Sequence, residues 1–202
     1  MGEGSGEAGT GRHVLVYCAS SSRCDPAFHA AAARLGRAIA ASGATVVYGG
    51  GAVGSMGALA DAALAEGGRV VGIIPHFMRE LEWAHPGLSE LHLVDDMHQR
   101  KRAMLDRADA IVALPGGTGT FEELLEAMTA KRLGFFAKPI VIVNQAGFYD
   151  PLRRLLESSV AERFMHAVHL EMWQMVDRVE DVMPAIESAD AWPDDAIDFA
   201  TP

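Results

Sequence analysis

Five short apolar runs constrain this chain more than any other feature. HVLVYCAS (13–20), ATVVYG (44–49), RVVGIIP (69–75), DAIVALP (109–115) and KPIVIVN (138–144) are continuous and rich in β-branched or aromatic residues. Strands buried on both faces read this way. Helical patterning fills the stretches between and after them, at 26–42, 54–67, 96–107, 119–132, 151–161 and 179–188. The 119–132 stretch, for example, sets Phe121, Leu124, Leu125 and Met128 on one face at about 3.6-residue spacing. Strands alternating with helices predict an α/β fold, Rossmann-like and doubly wound, with a mostly parallel sheet flanked by helices in a single domain over 13–188. A sixth strand is expected within 167–176, and 76–95 is the longest stretch with no clear element. Residues 1–12, with five glycines and no apolar core, read as a disordered leader, and 189–202 as a loose acidic tail.

Composition narrows the function classes. The 202 residues carry a net charge of −10, which argues against a general nucleic-acid binder. An anionic ligand must then be held by local dipoles and a few placed cations. No apolar run reaches the roughly 18 residues of a membrane span. Two cysteines, Cys18 and Cys24, are too few for a disulfide framework and fit a reducing cytoplasm.

Two of the apolar runs end in glycine-rich turns that lead straight into helices. After ATVVY comes Gly49-Gly50-Gly51-Ala52-Val53-Gly54; after DAIVAL comes Pro115-Gly116-Gly117-Thr118-Gly119-Thr120. Backbone N–H groups at such a turn form an anion site, usually for phosphate. Gly50, Gly51, Gly54, Gly116, Gly117, Thr118, Gly119 and Thr120 are therefore candidate ligand-binding residues. Gly49, Gly51 and Gly54 formally satisfy the dinucleotide pattern GxGxxG. Against that reading, the turn follows the second strand, and the next strand ends in Ile74-Pro75-His76 where an acidic ribose ligand should stand. A GxxxxGK[ST] loop is absent. For a single turn, glycines that merely permit close helix–sheet packing explain the pattern equally well; two turns at strand ends favour a ligand.

Charged residues flank the second turn. Glu123 admits two readings: capping-box partner of Thr120, or a carboxylate beside the ligand one turn into a phosphate-binding helix. Glu126 shares its face at i+3, and Glu122 is rotated away. Arg100, Lys101 and Arg102 sit on a helix start preceded by Asp95-Asp96. Adjacent helical residues point about 100° apart, so the three cannot all face one pocket.

PGGTGTFEE fits PGGxGTxxE, YGGGAVGSMG fits YGGGxxGxMG, and MHQRKRAM lies between them. Together with VYCASS, TAKRLGFFAKPI and GFYDPL, these motifs resemble the LONELY GUY family of cytokinin-activating phosphoribohydrolases, often mislabelled lysine decarboxylases. The resemblance runs from about Val14 to about Arg163. It implies hydrolysis of the N-glycosidic bond of a nucleoside 5′-monophosphate, N6-prenylated AMP or AMP itself, to free base and ribose 5-phosphate. It implies Arg100 and Glu123 as the catalytic pair and Glu82, Arg100, Lys101, residues 117–123 and Thr129 as nucleotide contacts. A homodimer sharing residues across the site is implied as well. The sequence departs at Ala130, where the family often has Trp, and at Ser55, where leucine is common; both bear on base preference rather than reaction type.

Cleavage of that bond builds positive charge on the ribose, as in glycoside hydrolysis. Glu123 is expected to stabilise this charge or orient the attacking water, and Arg100 to stabilise charge on departure. No metal or cofactor is expected: His85, His92 and His98 have no ligand spacing, and no lysine stands in a context that marks a pyridoxal-phosphate Schiff base. The competing readings are a nucleotide or molybdenum-cofactor carrier of related fold, a nucleotide sensor without chemistry, and an NAD-dependent dehydrogenase.

Overall fold

The computed structural model describes residues 11–81, 83–193 and 198. Seven strands form one sheet: β1 (His13–Tyr17), β2 (Thr45–Tyr48), β3 (Val70–Pro75), β4 (Glu90–Val94), β5 (Ala110–Ala113), β6 (Ile140–Val143) and β7 (Gln174–Val176). Their order is β4-β3-β2-β1-β5-β6-β7, and every pairing is parallel. The helices are α1 (Pro26–Ala41), α2 (Gly54–Ala65), α3 (His76–Glu80), α4 (Met97–Leu105), α5 (Thr118–Arg132), α6 (Asp150–Ala161) and α7 (Val182–Glu187). This is the predicted doubly wound α/β architecture.

Strand side chains alternate between two cores. On one face Val14, Val16, Val46 and Val112 pack with Leu35 and Ile39 of α1, Leu59 of α2 and Ile186 of α7. On the other, Leu15, Val47, Ile73 and Ile111 pack with Met104 of α4, Leu124 and Met128 of α5 and Leu156 of α6. Burying each such side chain contributes about 1.5–3 kcal/mol, which is why the central strands read as unbroken apolar runs. Helices α1 and α2 meet closely at Gly36, where a Cβ would stand 2.3 Å from the Leu59 carbonyl oxygen.

The stretch 76–95, which shows no clear element in sequence, contains α3 and the edge strand β4. Every residue of β4 is only half-buried, so its pattern alternates over five residues instead of running continuously. The strand expected within 167–176 is confined to β7, preceded by a 3₁₀ turn at Ala167–Glu171. Residues 1–10 of the expected leader lie outside the described residues. Of 189–202, residues 189–193 and 198 are described. Trp192 is buried there, and its indole N–H donates to the Lys131 carbonyl at 3.0 Å. Among the described residues no helix is long and apolar enough to cross a membrane.

Strand order reverses at β1: chain segments wind outward through β2 and β3 on one side and through β5 and β6 on the other. In open α/β sheets the ligand crevice lies beyond the carboxyl ends of the strands at this switch point. Both glycine turns leave strands that flank β1.

Candidate active site

Helix α4 sorts its three cations. Asp96 caps it, its Oδ1 accepting the Gln99 N–H at 2.8 Å. That start turns Arg100 inward: its residue is 6% exposed, Nε donates to the Ile73 carbonyl and Nη2 to the Gly49 carbonyl, each at 3.1 Å. Burial pulls the guanidinium below the ordinary arginine pKa, while the Glu123 carboxylate pushes the other way. A Cβ on Gly49 would lie 2.0 Å from Arg100 Nη2, so any side chain there would displace the guanidinium. Lys101 instead turns to α5, pairing with Glu122 and, at 3.0 Å, with Glu126. Arg102 is exposed and pairs with Asp106.

The second turn opens α5 at Thr118, with Gly117 as the capping residue. The first helical bond runs from the Phe121 N–H to the Gly117 carbonyl at 3.0 Å. The N–H groups of Thr118, Gly119 and Thr120 therefore have no partner within the helix, and residues 117–119 are exposed. Thr120 is buried, its hydroxyl folded over Gly116. No side chain caps this helix, so the capping-box reading of Glu123 fails. Glu123 is 7% exposed and has no hydrogen bond or ion pair among the described residues. Burial pushes its pKa up to about 7, against the opposing pull of Arg100. Glu122, one residue away, is exposed and held by Lys101.

Cys18, at the end of β1, feels both charges: burial and Glu123 raise its thiol pKa and Arg100 lowers it. The β1 terminus, Arg100 and Glu123 thus converge at the switch point. Beside Arg100 lies a cavity of about 230 Å³ lined by Gly49, Gly51, Met56, Met78 and Trp83. Gly50 and Gly54 adopt positive φ, 77° and 65°, which shapes the first turn. A Cβ on Gly54 would lie 2.5 Å from the Ser21 carbonyl, so this turn packs against the β1–α1 loop. Beyond β6, Tyr149 of the GFYDPL stretch donates its hydroxyl to the Leu114 carbonyl at 2.8 Å, bracing the second turn.

One candidate does not join this group within one chain. Thr129 is exposed, donates to the Leu125 carbonyl at 2.8 Å, and lies about 16 Å along α5 from Thr118. Glu82 lies outside the described residues. Among the described residues no group of three or more His, Cys, Asp or Glu side chains is placed to hold a metal ion.

Residues 56–186 match a family model described as "Possible lysine decarboxylase". A cytokinin riboside 5′-monophosphate phosphoribohydrolase of Rhodococcoides fascians is 42% identical over 180 residues, 89% of this chain and 91% of that protein. The chain belongs to the LONELY GUY family. A LONELY GUY relative of the same name from Mycobacterium tuberculosis is 42% identical over 172 residues, covering 85% of this chain and 91% of its own length. One from Arabidopsis thaliana is 42% identical over 154 residues, covering 76% and 72%. Among solved structures, the molybdenum cofactor carrier protein of Chlamydomonas reinhardtii superposes with a TM-score of 0.69 at 19% identity, over 89% of this chain and 98% of that one. At that identity the likeness shows the fold alone. The LONELY GUY motifs quoted from the sequence coincide with the structural features just described: the Gly49 carbonyl that holds Arg100, the α4 start, and the α5 start that buries Glu123. Trp83 joins the site without a signal in the sequence, since it sits in the stretch without a clear element. Cys18 falls within the quoted VYCASS stretch, but nothing in the sequence gives it a role of its own.

Proposed function

We propose that this chain hydrolyses the N-glycosidic bond of nucleoside 5′-monophosphates, AMP or N6-prenylated AMP, releasing free base and ribose 5-phosphate. The observation that carries the reading is the Glu123 carboxylate, buried beside a buried guanidinium at the switch point of the sheet with no hydrogen bond or ion pair among the described residues. A carboxylate left unpaired at such a position is a group reserved for charge that arrives with the substrate. In the proposed reaction the free N–H groups at the α5 start, with those of the first turn, hold the 5′-phosphate and so place the anomeric carbon. The ionised Glu123 stabilises the oxocarbenium-like ribose or orients the attacking water. Arg100, fixed by two backbone carbonyls, stabilises charge on the departing base without having to reorganise.

The chain is further proposed to act as a homodimer in the cytoplasm. Leu125 and Thr129 stand exposed on α5, and pairing of two such faces would bring Thr129 of one copy toward the site of the other.

The test is product analysis. Incubation with AMP or isopentenyl-AMP releases free base and ribose 5-phosphate, while adenosine, lacking the phosphate, is a poor substrate. A carrier or sensor leaves all three intact, and equal kcat/KM for adenosine and AMP removes the phosphate from the account.

A further inference from the structure

His85 lies outside the proposed chemistry yet is 8% exposed and fully engaged. Its Nδ1 accepts the Gly87 N–H at 3.1 Å. That bond puts the ring proton on Nε2, which lies 2.9 Å from Asp61 Oδ1 on α2. The backbone around it is stitched to the first glycine turn. The His85 N–H donates to the Gly50 carbonyl at 2.8 Å, and the Ala52 N–H donates to the Trp83 carbonyl at 3.1 Å. Gly51 and Ala84 form an antiparallel bridge. The residue next to this stitch, Gly49, supplies the carbonyl that fixes Arg100 Nη2, and Trp83 lines the cavity beside Arg100.

We infer that His85 is a positioning residue: the Asp61–His85 bond clasps the 83–87 segment onto the first glycine turn and thereby sets the Gly49 carbonyl and Trp83 around Arg100. The inference rests on the proposed hydrolase reading for its effect on turnover. Neither Asp61 nor His85 touches the proposed reacting atoms. Without the bond, the segment keeps its fold but samples more positions, and the turn that orients Arg100 loosens with it. The expected loss is in kcat, since an interaction acting mainly in the transition state lowers kcat more than it raises KM.

Asp61 is mostly exposed on α2, so its variants fold. Asp61→Ala removes the acceptor, and Asp61→Asn retains one in its amide oxygen. The measurements are kcat and KM for AMP, the melting temperature, and amide hydrogen exchange at Ala52 and His85. For Asp61→Ala the expected result is a kcat about 10-fold lower, little change in KM, and exchange at both amides at least about 10-fold faster. Asp61→Asn is expected to restore both readouts. Wild-type kcat and exchange in Asp61→Ala, or equal impairment in Asp61→Asn, overturns the inference. If wild-type protein leaves AMP intact, the hydrolase reading falls, and the exchange arm alone still decides the clasp: unchanged protection at Ala52 refutes it.

Discussion

Arg100 Nη2 lies 3.1 Å from the carbonyl oxygen of Gly49, the first residue of the first glycine turn. The same guanidinium holds the Ile73 carbonyl of β3, so two adjacent strands fix one cation. A lysine cannot reproduce this fork, because its ammonium is a single point on a flexible stem. Arg100→Lys is therefore expected to lower kcat for AMP by about 10²–10³, the scale seen when a preorganised electrostatic group is removed. A loss below tenfold in steady-state kinetics would assign Arg100 to structure alone.

The buried carboxylate sets the pH dependence. Burial pushes the Glu123 pKa up to about 7, so the ionised form becomes the majority only above neutrality. The value of kcat/KM is expected to rise with pH through about 7, and the residual activity of Glu123→Gln to lack this limb. The phosphate of the nucleotide titrates separately near about 6 and remains in both profiles.

The same shift predicts a stability effect of definite sign. A carboxyl whose folded pKa exceeds its unfolded value favours folding when protonated. Its contribution is full below the unfolded value near 4.5 and is lost as pH rises through about 7. Glu123→Gln escapes that loss. The variant is expected to match wild type near pH 4.5 and to exceed it by about 3 kcal/mol above pH 7.5, a rise of several degrees in Tm. Melting curves at the two pH values check this; equal Tm differences at both would contradict it.

The legible parts of this fold are those where burial is uniform. Residues Val14–Val16, Val46–Tyr48 and Ile140–Val143 are buried on both faces and advertise strands by composition alone. Strand β4 sits at an edge, where Glu90 and His92 can stay solvated between Leu91 and Leu93, and five alternating residues give too weak a period to stand out. The glycine turns are legible because repeated glycine between a strand and a helix marks backbone that must turn tightly or be approached closely. The fate of each charge is not. Only packing decides that Arg100 enters the interior while Lys101 bridges Glu122 and Glu126, or that Glu123 is buried and Glu122 is not.

Trp192 offers a control away from Arg100 and Glu123 of its own chain. It packs against Met172 with its ring 5.4 Å from the Lys131 ammonium, at the opposite end of α5 from the second glycine turn. Trp192→Ala is expected to destabilise the fold by about 3 kcal/mol, lowering Tm by roughly 10 °C. Below the new transition, kcat for AMP is expected to remain that of wild type. A loss of turnover at temperatures where the variant is fully folded would link this end of the sheet to the site.

In the proposed reaction the Glu123 carboxylate, which has no hydrogen bond or ion pair among the described residues, drives bond cleavage, and the adjacent residue supplies its control. Glu122→Gln removes the same charge from an exposed side chain, and Lys101 keeps its partner Glu126 at 3.0 Å. The measurement is release of adenine from AMP at saturating substrate by wild type, Glu123→Gln and Glu122→Gln, each confirmed folded by its melting curve. The expected result is near-normal kcat for Glu122→Gln and a fall of at least about 10²–10³ for Glu123→Gln. Comparable turnover in the two variants would contradict it.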